Sequence, residues 1–177
     1  LRTESGANTV PLLYQGNLRG GGIAWPGSVK KPSSIVACDA TSKLLLPAET
    51  YVLVKRFTAK EERRRVSASV FEASDVPTDQ VGFENHLNVF HFGGRGLDCR
   101  LARGLAAWLN STVVDRYFRS FNGHTQVNAT DLRRLPYPTM DELLALGDAI
   151  GSGPTSDQEK IDALVNTHVQ VLQGIAA

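Results

Sequence analysis

The chain has 177 residues, of which 42% are hydrophobic and 21% charged, a composition that allows a buried core and excludes the disordered and fibrous classes. No apolar run approaches the ~20 residues of a membrane helix, and the N-terminus has no signal-peptide pattern, so we expect a cytoplasmic protein without a membrane partner. The net charge is +1, but residues 1–140 carry 18 Lys and Arg against 12 Asp and Glu, and residues 141–177 carry one against six, which suggests an anionic partner for the basic body.

The first half of the chain predicts short strands. Residues 1–48 are rich in Gly, Pro and Ser, which indicates irregular loops with short strands. Two β-branched and aromatic runs follow at residues 49–58 and 63–73, separated by a short polar break. We expect these runs to pair as an antiparallel hairpin, with residues 86–92 as a third strand.

From Leu97 the hydrophobic period changes to helical spacing. The pattern predicts helices over residues 97–109 and 113–121, either as two helices or as one bent helix. The second should end at Asn122 and Gly123, because glycine tolerates the left-handed conformation that closes a helix.

Two further helices are predicted near the C-terminus. Thr139 and Glu142 have the spacing of a capping box at the start of a helix over residues 139–150. A Gly- and Ser-rich linker then leads to a helix over residues 157–173. The predicted fold class is α+β, with a small antiparallel sheet in the N-terminal half packed against C-terminal helices. We expect a domain over residues 1–150, followed by a linker and an acidic C-terminal helix over 151–177.

The residues give little support to an enzyme site. The four histidines are scattered, with no Cys or carboxylate at ligand spacing, so we expect no metal site. The string "FGGRG" at residues 92–96 lies between a predicted strand and a predicted helix, where a nucleotide or S-adenosyl group could approach the backbone. Its spacing is short of a dinucleotide fingerprint, and Asp115 lies inside a predicted helix, so a plain strand-to-helix turn is favoured. No catalytic residue is predicted.

Basic residues flank an amide-rich segment, "NGHTQVN", at residues 122–128. Lys and Arg can bind phosphates, and Asn, Gln and Thr side chains can read base edges, since an amide pairs bidentately with adenine. The alternative is structural: the segment ends one helix, Thr130 or Asp131 caps the next turn, and the polar side chains bond within the fold. Composition alone leaves both interpretations open.

Three stretches within residues 49–150 carry a family resemblance: "YVLVKRFTAKEERRRVSASVF", "ENHLNVFHF" and "LARGLAAWLNSTVVDRYFRSFNGHTQVNATDLRRLPYP". They resemble the C-terminal region of N6-adenine-specific DNA methyltransferases of bacterial restriction-modification systems, of the PstI/BsuBI type. The order "LNS", "GHTQVNATDLR", "PYP" is the specific part. The resemblance implies that residues 1–150 form a DNA target recognition domain. It also implies a separate N-terminal catalytic domain that uses S-adenosyl-L-methionine, and a palindromic target such as CTGCAG.

The same resemblance implies a division of site residues. Phosphate contacts would come from Lys55, Arg56, Arg63, Arg64, Arg65, Arg119, Arg133 and Arg134. Base contacts would come from Asn122, His124, Thr125, Gln126 and Asn128.

The chain departs from the whole enzyme in its catalytic motif. The family's Asn-Pro-Pro-Tyr/Phe does not occur, and the nearest string, residues 135–138, lacks the Asn. We therefore expect no methyl transfer and no cofactor in this fragment. Met140 is the first methionine, so we also expect a piece of a longer protein. The predicted function is sequence-specific double-stranded DNA binding within an adenine methyltransferase; the alternative is a protein-interaction domain whose basic face binds an acidic partner.

Overall fold

The computed structural model describes residues 1–3, 6, 8–27, 30–153 and 156–170. The strands in these residues are β1 (Thr9–Leu13), β2 (Leu18–Arg19), β3 (Gly22–Ile23), β4 (Ser34–Val36), β5 (Leu45–Pro47), β6 (Tyr51–Lys55), β7 (Ala68–Phe71), β8 (Gln80–Phe83) and β9 (Leu87–Phe90). The helices are α1 (Cys99–Leu109), α2 (Thr112–Phe121), α3 (Ala129–Arg133), α4 (Met140–Ile150) and α5 (Gln158–His168).

The predicted hairpin and third strand form an antiparallel sheet of order β7-β6-β9, in which Val52 is opposite Val70 and Phe90. The α+β class is therefore confirmed. The prediction of one small sheet was incomplete, because a second sheet of order β4-β1-β8-β5 contains a parallel β1–β8 pair, and β2 and β3 pair separately. Its strand β8 was missed because Gly82 weakens the strand pattern. The structural reason for this glycine is close packing: a Cβ there would lie 3.1 Å from Leu12 Cδ1.

The sheet of β6, β7 and β9 separates two hydrophobic clusters. Val52 and Val54 pack in the larger cluster with the helices, whereas Tyr51 and Leu53 pack in a second cluster with residues of the other strands. All four side chains are 0% exposed. Alternation along one strand thus places a helical layer on one face and a β layer on the other.

The predicted region 97–121 forms two helices. Ser111 begins the second, where its Oγ accepts the Val114 N–H at 3.3 Å. Asn110 lies in the junction, and its side-chain amide makes the two hydrogen bonds to Ala68 that a neighbouring strand would make. Its Oδ1 accepts the Ala68 N–H at 3.0 Å and its Nδ2 donates to the Ala68 carbonyl at 2.9 Å. The "LNS" string therefore connects α1 to β7 and starts α2.

The end of α2 was predicted at the right place for the wrong reason. The helix ends at Phe121, but Asn122 is extended at φ −100° and ψ 105°, and Gly123 is not among the glycines with positive φ in the described chain. The amide side chain of Asn122, described below, ends the helix in place of a left-handed glycine.

The capping box at Thr139 and Glu142 is confirmed, because the Thr139 N–H donates to Glu142 Oε2 at 2.7 Å and the Glu142 N–H donates to Thr139 Oγ1 at 3.3 Å. The last predicted helix begins at Gln158 and ends at His168, earlier than predicted; residues 171–173 lie outside the described part. Its residues Ile161 and Val165, each 1% exposed, pack in the same cluster as α1 and α4. The acidic helix is thus packed on the body, and the functional division at residue 150 stays a prediction.

Among the described residues, no helix has both the length and the hydropathy to cross a bilayer.

Candidate nucleic-acid interface

The amide-rich bend, residues 122–128, lies against the chain that leaves β6. The Val127 N–H donates to the Arg56 carbonyl at 2.8 Å, and the Thr58 N–H donates to the Thr125 carbonyl at 3.1 Å. These antiparallel bonds bring the bend against the basic hairpin, which consists of β6, β7 and the arginine-containing loop between them. About 70 residues separate the two segments in the sequence.

Strand β9 supports the bend through Asn88. Asn88 Nδ2 donates to the Val127 carbonyl at 2.8 Å, and the Val127 side chain is 0% exposed in the main core. Both backbone polar groups of Val127 are therefore bonded, and the bend has a fixed position.

Arg65 connects the two segments from inside. Its side chain is 2% exposed, and its guanidinium donates to Thr58 Oγ1 and Asn122 Oδ1, both at 3.3 Å, and to the His124 carbonyl. The guanidinium also lies over the Phe118 ring, 5.7 Å from its centre. Burial lowers the pKa of Arg65. This arginine is buried and holds the bend.

Asp115 and Arg119 of α2 hold the loop between β6 and β7. Asp115 Oδ1 accepts the Arg65 N–H at 2.6 Å, and Oδ2 accepts from Arg119 Nε at 2.7 Å. The Arg119 guanidinium also donates to the Lys60 and Glu62 carbonyls, each at 2.9 Å. The polar groups of Arg119 are therefore largely used within the fold.

Asn122 is likewise an internal residue, 6% exposed. Its Nδ2 donates to the Gln126 carbonyl at 3.2 Å and to Asp131 Oδ2 at 3.1 Å, while its Oδ1 accepts the His124 N–H at 3.1 Å. In the described structure its amide shapes the bend and does not face outward.

The remaining polar residues of the bend are more accessible. His124 and Thr125 are exposed, and Gln126 and Asn128 are half-buried. The Asn128 N–H donates to Asp131 Oδ2 at 3.1 Å at the start of α3. The structure thus brings together four of the five predicted base contacts at an accessible edge.

The predicted phosphate contacts differ in exposure and in how many hydrogen bonds their side chains make within the protein. Arg63 and Arg133 are exposed and Lys55 is half-buried; in the described chain, the side chains of these three make no hydrogen bond or ion pair. They remain available to an anion.

Two other arginines make weak ties to the fold. Arg56 donates from its guanidinium to the Asn85 carbonyl at 3.2 Å, and Arg134 lies over the Phe121 ring, 4.8 Å from its centre. Both keep unused donors, since a guanidinium has five N–H groups.

Arg64 reaches towards the junction of α1 and α2, where it donates to the Asn110 carbonyl. Burial is the main cause that lowers the pKa of Arg64, and the positive charge of Arg63 lowers it further. The carboxylates of Asp162 and Asp115 act in the opposite direction and raise it. The hydrogen-bond partner of Arg64 is therefore at the helix junction and not in the bend, and the nearby acids that act on it are Asp162 of α5 and Asp115 of α2.

Nothing described here forms a metal site or a phosphate cradle. Within the described ranges, no group of three His, Cys, Asp or Glu could hold a metal ion. The glycine turn before α1 does not leave that helix start free, because Asp98 Oδ1 accepts the Arg100 N–H at 2.9 Å and the Leu101 N–H at 3.2 Å. The amides that could bind a phosphate already have an acceptor.

The "PYP" string has a structural role in this fold. The Tyr137 hydroxyl donates to the Leu132 carbonyl at 3.0 Å at the end of α3, and burial raises the pKa of Tyr137 to about 12. Pro138, which follows, is buried. This string therefore ties the chain after α3 back to the end of that helix.

Sequence reasoning missed the role of Asp115. A usable signal was present, because Asp115 precedes Arg119 by four residues, the spacing that places an acid and a base together on one helix face. No comparable sequence signal indicated Asn88 or the internal position of Arg65.

The comparisons with known proteins agree with the resemblance at a coarser level. The chain is 44% identical over 173 residues to Type II methyltransferase M.PstI of Providencia stuartii. This alignment covers 97% of the chain and 34% of that protein. It is 49% identical over 147 residues to Type II methyltransferase M.BsuBI of Bacillus subtilis, in an alignment that covers 83% of the chain and 29% of that protein. The chain therefore has Type II methyltransferases as homologues and spans about a third of their length. No family model matches the chain. No solved structure matches it.

Proposed function

We propose that this chain is the target recognition part of a Type II, adenine-specific DNA methyltransferase of a restriction-modification system. The observation that carries this proposal is the fixed contact between the amide-rich bend and the basic hairpin, which leaves His124 and Thr125 exposed. The homology to Type II methyltransferases supports the enzyme class. The partner is double-stranded DNA.

The geometry revises the division of contacts. Base contacts are proposed for His124, Thr125, Gln126 and Asn128, and phosphate contacts for Lys55, Arg56, Arg63, Arg133 and Arg134. Three predicted contacts are reassigned to holding the site, because their polar groups hydrogen-bond to other parts of the chain: Arg65, Arg119 and Asn122. Arg64 is left out of the direct contacts because it donates to Asn110 at another junction.

Methyl transfer is assigned to a separate catalytic domain of the same enzyme, which would bind S-adenosyl-L-methionine. Such an enzyme rotates its target adenine out of the duplex, at a cost of a few kcal/mol. Contacts from a recognition domain offset this cost and select the sequence. The residues described here supply binding and orientation of the DNA and no reacting group.

The salt dependence of DNA binding tests the proposal. Binding of the 177-residue chain to a short labelled duplex that contains CTGCAG would be measured by fluorescence anisotropy over a range of salt concentrations. Five phosphate contacts predict a slope of log K against log salt of about −4.5, since each contact contributes about −0.9.

The control is Lys43→Ala, which removes an exposed cation in the turn before β5 and should leave the slope unchanged. A flat salt response, or binding to an acidic polypeptide that duplex DNA does not displace, would instead support the protein-interaction alternative.

A further inference from the structure

Phe92 is the most exposed large hydrophobic residue in the described chain, at 82%. It begins the two-glycine turn after β9, in which its N–H and carbonyl exchange hydrogen bonds with Arg95, each at 2.9 Å. Gly93 and Gly94 have φ values of 57° and 84°, which a two-residue hairpin turn of this kind requires. An aromatic ring is therefore presented to solvent at the tip of a tight hairpin.

The base of this turn is fixed. The Gly96 N–H donates to Glu49 Oε2 at 2.6 Å, Arg95 Nε donates to the same oxygen at 3.2 Å, and the Leu97 N–H donates to the Thr50 carbonyl at 2.8 Å. A Cβ at Gly96 would lie 2.6 Å from Glu49 Cβ, so the approach requires glycine. The Gly96 N–H is also the main cause of the lowered pKa of Glu49. The exposed ring thus projects from a rigid support.

Phe92 continues the side of β9 that holds the bend. Side chains alternate along a strand, so residues 88, 90 and 92 follow one face. Asn88 bonds the bend through Val127, and Phe90 packs against the main core. Four residues of extended chain span about 13 Å, or roughly four base-pair steps of B-DNA at ~3.4 Å each. Phe92 therefore lies roughly four base-pair steps along the chain from the residue that holds the bend, within reach of a duplex that runs along this face.

The chemistry around the ring suits nucleic acid. Residues 85–96 contain no Asp or Glu, and their polar side chains are two Asn, two His and one Arg; the carboxylate at the base of the turn, Glu49, is paired with Arg95. No atom lies within 4 Å of a Cβ built at Gly93 or Gly94, so the tip is narrow and unobstructed. A narrow tip with one aromatic ring matches the apolar side chains that enter a groove and separate stacked bases.

We propose that Phe92 inserts its ring between adjacent base pairs of the duplex bound at the bend, and so unstacks and bends the DNA beside the recognised sequence. This inference rests on the DNA binding proposed above. Its partner is the stacked face of the bases, so it is insensitive to base identity at that step.

The test uses the full 177-residue chain and CTGCAG-containing duplexes, each with 2-aminopurine at one position along the flanking sequence. Insertion changes the stacking of one step, so the wild type should change the 2-aminopurine fluorescence at a localised position. Phe92→Ala should abolish this change and weaken binding by roughly tenfold, the loss expected for one aromatic stacking contact. Phe92→Trp should retain both signals.

Two controls keep the outcomes distinct. Leu44→Ala removes an exposed large side chain elsewhere, 61% exposed, and should behave as the wild type. Thermal unfolding of Phe92→Ala should also match the wild type, because its ring is barely buried. If Phe92→Ala kept wild-type affinity and fluorescence, the insertion of Phe92 would be overturned while the proposed DNA binding would stand. Absence of DNA binding by the wild type would overturn the proposed function as well.

Discussion

Arg63 and Arg65 belong to one run of three arginines, yet the structure places them in opposite environments. Arg63 is exposed, whereas Arg65 is 2% exposed and bonds to Thr58, Asn122 and His124. Successive odd residues would share a face in a regular strand, but the loop turns here before β7 begins at Ala68. A basic run can therefore contain both an anion contact and a residue that organises the site.

The bend shows the same contrast. Asn122 uses its amide inside the fold, and His124, two residues later, is exposed. The carbonyl of His124 accepts from Arg65 while its ring remains accessible. Residues that hold the surface and residues that form it thus alternate along one segment, and substitutions should separate their roles.

The largest expected effect is on stability, from Arg65→Ala. Loss of its guanidinium leaves buried acceptors of Asn122 and His124 without their donor, so the free energy of unfolding should fall by about 3 kcal/mol. Arg63→Ala should change it by no more than about 0.5 kcal/mol, as is usual for an exposed residue. Urea unfolding of both variants measures the contrast. Equal losses would contradict the assignment of Arg65 to the interior.

Next in size is the effect of Gln126→Ala on sequence discrimination. An amide contact to a base contributes about 1–3 kcal/mol of discrimination, so the affinity ratio between a CTGCAG duplex and a scrambled duplex should fall by that amount. Gln80→Ala, at an exposed glutamine of β8, is the matched control. Equal weakening on both duplexes would show that Gln126 does not read bases.

A smaller loss is expected for Asp115→Asn. The neutral amide weakens the two bonds to the Arg65 N–H and Arg119 Nε, which should lower the free energy of unfolding by about 1.5 kcal/mol. Hydrogen exchange at the Arg65 amide should also become faster. Asp79→Asn, at an exposed acid, is the comparison; unchanged exchange at Arg65 in Asp115→Asn would contradict the role of Asp115.

The smallest effect belongs to the exposed cation Arg133. Arg133→Ala should weaken binding about equally on specific and scrambled duplexes and should reduce the magnitude of the salt slope by about 1, because one phosphate contact is lost. Its unfolding curve should match that of the wild type. A change in sequence preference with an unchanged slope would place Arg133 among the base contacts instead.

Local pattern predicted much of the fold. The β6–β7 hairpin, the strand β9 and the limits of α1, α2 and α4 follow from hydrophobic period and capping residues, which act over a few positions. The parallel pairing of β1 with β8 did not, because about 70 residues separate these strands and no local signal specifies a partner. Gly123 shows the same limit. A local rule predicted a glycine cap there, but the side-chain amide of Asn122, which bonds the distant Arg65, ends the helix instead.

By itself, the sequence determined which residue types could contact DNA and roughly where the helices and hairpin lie, since these depend on side-chain chemistry and short-range spacing. The tertiary structure alone decided which of those residues face solvent. Arg65 and Asn122 have the same chemistry as an outward contact, but the hydrogen bonds that Arg65 makes to Asn122 and to the His124 carbonyl, across more than 50 residues of sequence, hold both side chains inside the fold. The cause is the requirement that buried polar groups be paired, which acts between residues distant in sequence.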